Sequence, residues 1–164
     1  MATFVDKIRV MVDIAEPGHE PMHGVMAVAS RTPQHSGAET VIDVLNSDLR
    51  VIPVTRPDGS TVLYTRLQIA WVRTATDVEQ ALVWPGTYRV TKEEQVLVEM
   101  EDGSRLAGRV QMELPEDLNR NSDFLNGGED FFPLLARAGT YLVNKAKVRA
   151  TALFEASPLP VDLQ

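Results

Sequence analysis

Asp43-Val44-Leu45-Asn46 recurs as Asp123-Phe124-Leu125-Asn126, and the surroundings recur with it. Six residues after each Asn stands an apolar residue followed by proline, Ile52-Pro53 and Phe132-Pro133. Six residues beyond each proline comes a glycine, Gly59 and Gly139. One residue out of step, an apolar run then ends in a polar-basic pair: Val62-Leu63-Tyr64-Thr65-Arg66 and Tyr141-Leu142-Val143-Asn144-Lys145. An internal repeat of this kind sets the architecture before any single residue is interpreted.

Outside the repeated core, period-two alternation dominates. Ile8, Val10, Val12 and Ile14 alternate with Arg9, Met11 and Asp13, which predicts a half-buried strand. Residues 24–29 predict its partner across the turn Pro17-Gly18-His19-Glu20. Gln95–Met100 and the alternating run from Leu106 to Leu114 flank Asp102-Gly103, a hairpin signal. Further short strands are predicted near 40–45, 49–55, 61–65 and 68–73, then near 122–126, 130–135, 140–144 and 147–154. Thr76 and Glu79 have capping-box spacing, and Pro85-Gly86 would stop a helix over 77–84 that docks Trp84 and Tyr88 on a barrel.

The expected fold is therefore all-β: two tandem small, strongly bent β-barrels with a short linking helix. The first repeat spans 4–76, the linker 77–92, the second repeat 93–156 and a flexible tail 157–164. Each repeat, at roughly 60–75 residues, is near the size at which a lone core becomes marginal, so the copies are expected to bury surface against each other.

The second repeat resembles a bacterial small-barrel domain family of unknown function through Ser122-Asp123-Phe124-Leu125-Asn126, Phe132-Pro133-Leu134 and Leu142-Val143-Asn144-Lys145. Its layout is similar to Sm-like and other SH3-like barrels, with Gly108, Asp123, Asn126 and Asn144-Lys145 in analogous places. The Sm-like layout implies RNA binding as a further, weaker alternative, although the Arg-Gly turn that Sm proteins use for RNA has no counterpart here.

Composition narrows the function classes. The 164-residue chain carries a formal net charge of −7, which disfavours nucleic acid and anionic membranes as partners. It has no cysteine, which removes thiol nucleophiles and thiolate metal sites and fits a reducing, cytoplasmic setting. The first residues do not read as a signal peptide, and no apolar run approaches the ~18 residues of a membrane helix.

The chemistry-bearing residues point away from catalysis. There is no nucleophile elbow, and Gly127-Gly128 precedes Glu129-Asp130, which would repel phosphate. His19, His23 and His35 lack a complementary ligand set, so no metal or cofactor is expected. Asp43, Asn46, Asp123 and Asn126 read as ligand groups at a repeated position or as side chains that fix the turns of the fold; their repetition favours the second reading. Arg120-Asn121-Ser122-Asp123 resembles segments of PilZ barrels, which bind cyclic dinucleotides. That resemblance implies an alternative role as a nucleotide or anion sensor, through Arg105, Arg109, Arg120 and Lys145.

Phe131-Phe132-Pro133-Leu134-Leu135 places apolar residues on both faces of one strand. One face can fill a barrel; the other must meet the sister copy, a second subunit or a partner. The expectation is a noncatalytic adaptor or scaffold that works through a protein partner or self-association, with Phe131, Phe132 and Leu153 as interface anchors.

Overall fold

The structure, a computed structural model, describes residues 6–33, 35, 37–85, 92–112 and 125–153. It is predominantly β. Ten strands run in chain order: β1 (Lys7–Ala15), β2 (Met22–Ala29), β3 (Val51–Thr55), β4 (Thr61–Thr65), β5 (Trp71–Thr74), β6 (Lys92–Met100), β7 (Arg105–Met112), β8 (Phe131–Ala136), β9 (Gly139–Asn144) and β10 (Val148–Leu153). They form one antiparallel sheet in the order β10-β6-β7-β8-β9-β5-β1-β2-β3-β4. Thus β1–β5 lie in the order 5-1-2-3-4, and β6–β10 repeat that order.

The registers of the halves coincide at corresponding pairs, apart from a bulge between Val148 and Ala150 in β10. Val12 faces Gly24 across β1/β2, as Val96 faces Gly108 across β6/β7. Val25 pairs with Thr55, as Arg109 pairs with Leu135. Ile14 pairs with Val72, as Val98 pairs with Thr151. Gly24 and Gly108 lie where a strand passes close to its neighbour's backbone. A Cβ on Gly24 would lie 2.9 Å from the Thr55 carbonyl oxygen, and one on Gly108 2.3 Å from that of Leu135. Only a residue without a side chain permits that approach.

The two expected barrels are not separate bodies. The β5/β9 ladder, Trp71↔Val143 to Thr74↔Thr140, welds the halves into one continuous, open sheet. At its ends, β4 and β10 each pair with a single strand among the described residues. Two apolar clusters fill the halves, and each borrows from the other side. Phe131 and Leu142 belong to the first-half cluster with Val12, Met26, Leu45, Ile52 and Val72. Ala70 belongs to the second-half cluster with Val96, Val110, Met112, Phe132 and Val143.

Two local expectations need correction. Residues 41–45 form helix α1 (Val41–Leu45), not a strand, and Leu125-Asn126, expected to end the matching strand, are helical as well, with 122–124 outside the described residues. Thr40 and Asp43 make a reciprocal capping box in α1, which offers the first turn the partners that a ladder would otherwise supply. Residues 77–84 hold only a 3₁₀ turn, Gln80–Leu82, whose start has no side-chain cap. Trp84 does pack on the first core, while Val83 is fully buried and its carbonyl accepts from Ile42 N–H at 3.0 Å. Tyr88 lies outside the described residues, as do Arg120, Asp123, Phe124 and the segment 157–164.

Candidate protein interface

The junction between the halves shows how this sheet recognises an edge. On β8 and β9 the alternation is strict: Phe132, Leu134 and Val143 point into their own half, while Phe131 and Leu142 point into the sister half. Three polar side chains lock the seam. Asn46, just after α1, accepts from Phe131 N–H at 2.8 Å and donates to Phe131 C=O at 3.3 Å. Asn144, fully buried, donates to the carbonyls of Leu67 (3.1 Å) and Ile69 (2.9 Å) and accepts from Ala146 N–H at 3.0 Å. Arg66 donates to the carbonyls of Leu49 (2.7 Å) and Leu45 (3.0 Å) and reaches Asp130 at 3.0 Å. A buried guanidinium with charged and carbonyl partners satisfies its donors, which makes the burial affordable.

Matching the registers assigns each seam residue a counterpart at the free edges. Phe131, Pro133 and Leu142 correspond to Val51, Pro53 and Leu63, because Pro53↔Leu63 in β3/β4 repeats Pro133↔Leu142 in β8/β9. The environments differ sharply. Phe131 is 2% exposed and Val51 40%; Leu142 is fully buried and Leu63 is 62% exposed. On β10, Thr151 and Leu153 stand where β5 has Val72 and Thr74, and Leu153 is 43% exposed. An apolar recess lined by Val96, Val110, Met112, Leu125, Phe132, Thr151 and Leu153 opens beside it. It corresponds to the first-half space around Val12, Met26, Leu45, Ile52 and Val72, where Phe131 and Leu142 pack.

The residues singled out in the sequence fall as follows. Phe131 and Phe132 are both core, one in each cluster, so neither ring is open to a partner; their alternation serves the sister-half contact. Leu153 is exposed on the edge strand. Asp43 completes the capping box and meets His35 Nε2 at 2.6 Å. Asn126 is exposed, unlike the seam residue Asn46. Leu49 and Leu67, exposed near β4, were missed, as were Arg66 and Asn144 as seam locks; nothing in the local pattern marks a charged residue as buried.

Of the anion candidates, Arg120 lies outside the described residues, and the other three have neighbours of their own. Arg105 sits opposite Glu99 in β6/β7, and Arg109 pairs with Glu93 at 3.0 Å. Lys145 donates to the Gly127 carbonyl at 2.6 Å. Burial lowers its ammonium below the usual lysine range, against the pull of Asp130 and Glu129. A groove of about 370 Å³ beside β1 contains Asp13, His23 and Arg73. Burial pushes the Asp13 carboxyl up, but hydrogen bonds from His23 and Arg73 and the Arg73 charge outweigh it and hold it below its usual range. Among the described residues no group of three His, Cys, Asp or Glu side chains could hold a metal ion, and no helix is long and apolar enough to cross a membrane.

No protein-family model, no curated protein and no solved structure matches the chain.

Proposed function

We propose that this chain is a tandem pair of small, strongly bent β modules, Sm-like or SH3-like in layout, that works as a noncatalytic adaptor or scaffold through protein–protein contacts. The observation that carries this reading is the β4 edge. Val51 and Pro53 on β3 and Leu63 on the edge strand β4 form an exposed apolar row, at positions whose counterparts Phe131, Pro133 and Leu142 are buried by another module. An edge strand offers unpaired backbone groups for strand addition, and an apolar row beside it supplies specificity. A long apolar edge left bare is an aggregation liability, so its retention favours a use.

The test is capture of protein partners by the purified chain with two single variants. Leu63→Asp is expected to lose the captured protein, while Met11→Asp, equally exposed but on a separate part of the sheet, keeps it. Equal capture by both variants, or none by the parent chain, would refute the adaptor reading.

A further inference from the structure

The seam inside the molecule is head-to-tail: a β9 edge meets a β5 edge, not its own equivalent. Among the described residues, such an arrangement leaves one unpaired β9-type edge and one unpaired β5-type edge at the ends of the sheet. These are β4 and β10. We infer that copies of this chain associate head to tail, β4 of one pairing antiparallel with β10 of the next and Leu63 lying against the apolar surface at Leu153. The inference rests on the adaptor reading's use of the β4 edge and names a second copy as its occupant.

Three observations support the second copy over another partner. The internal seam predicts the register: Val72↔Leu142 becomes Thr151↔Leu63, and Trp71↔Val143 becomes Ala150↔Tyr64. The recess on the second half is apolar and lies where the first half is filled by Phe131 and Leu142, the counterparts of Val51 and Leu63. Asn126, exposed, occupies the position from which Asn46 grips the Phe131 backbone, and so stands ready for the Val51 backbone of a neighbour. Both surfaces are thus copies of surfaces already shown to fit.

Two substitutions make the outer junction weaker than the inner one. Asp130, which Arg66 reaches, is replaced at the equivalent position by Arg50, opposite Lys145. Gly139, whose Cβ would lie 2.0 Å from the Thr74 carbonyl oxygen, is replaced by Ser60. Association is therefore reversible and concentration-dependent. Heterologous contacts of this kind close into rings or run on as filaments, according to the rotation between copies.

The experiment is sedimentation of the full chain over a concentration series, alone and as mixed variants. The parent chain should shift to larger species as concentration rises. Leu63→Asp and Leu153→Asp should each remain monomeric alone, and their equimolar mixture should give a dimer, since each contributes one intact edge. Because the chain has no cysteine, Leu63→Cys and Thr151→Cys can be mixed and oxidised with no competing thiol. Paired strands place such residues within disulfide reach. The mixed disulfide should dominate, and Leu63→Cys with Arg149→Cys, out of register, should not form one.

A parent chain that stays monomeric throughout overturns the inference, as does a Leu63→Cys homodisulfide outrunning the mixed one, which would mean like edges pair. A monomer that still captures another protein through Leu63 leaves the adaptor reading standing without it.

Discussion

Asn46 and Phe131, 85 residues apart, are joined by two hydrogen bonds in which a side-chain carboxamide takes the place of a neighbouring strand. Its oxygen accepts from the Phe131 N–H and its nitrogen donates to the Phe131 C=O, while the phenyl ring packs into the core on Asn46's side. One residue thereby satisfies the start of β8 and sets the depth to which the second half enters the first.

Removing that clamp leaves a buried backbone N–H without a partner. Asn46→Ala is expected to lower the unfolding free energy by about 1–3 kcal/mol, the desolvation cost of an orphaned group. Asn126→Ala, at the exposed counterpart, should leave monomer stability unchanged. Urea denaturation at low protein concentration compares the two.

Phe131 is a core residue of the first half although it belongs to a strand of the second. Phe131→Ala is expected to cost about 3–5 kcal/mol, transfer and cavity terms together. Phe131→Asp should abolish cooperative unfolding, because a carboxylate would be buried unpaired. Circular dichroism melting of the two variants checks this; a folded Phe131→Asp protein would return the ring to the surface.

Gly108→Ala should destabilise the fold by roughly 1–3 kcal/mol or more, since its Cβ meets a backbone oxygen, which cannot rotate away. Gly103→Ala meets nothing nearby, but its φ of +88° penalises any side chain, so a smaller loss is expected. Thermal melts of both separate steric overlap from backbone strain.

Asp102 joins the hairpin tips of the two halves. The Gly18 N–H, at 2.9 Å, is the largest influence on its carboxyl, followed by hydrogen bonds from Ser104, and together they hold it down at about 2. A folded-state value below the ordinary one, about 3.9, gives stability present above the ordinary value and lost as pH falls through about 2. Asp102→Asn should therefore have a lower urea midpoint than the parent chain at neutral pH, and the gap should narrow between pH 4 and 2 in paired titrations.

Much of this was legible along the chain. The alternation in Ile8–Ile14 and Leu106–Met112, the turn at Asp102-Gly103 and the recurrence around Asn46 and Asn126 each follow from local rules: side chains on a strand alternate between faces, and turns need residues that tolerate unusual backbone angles. Phe131-Phe132 announced a strand buried on both sides, and the sister half was among the partners such a strand allowed.

The rest was decided in three dimensions. Thr40 and Asp43 made a helix of a segment with strand composition, because their side chains satisfy each other's backbone only once the chain turns there. Whether Leu63 and Leu142, alike in sequence, end exposed or buried depends on which edge finds a neighbour within the same chain. Each half specifies its own strands by local periodicity. Which halves meet, and which edges remain open, is a matter of long-range pairing, and no local pattern encodes it.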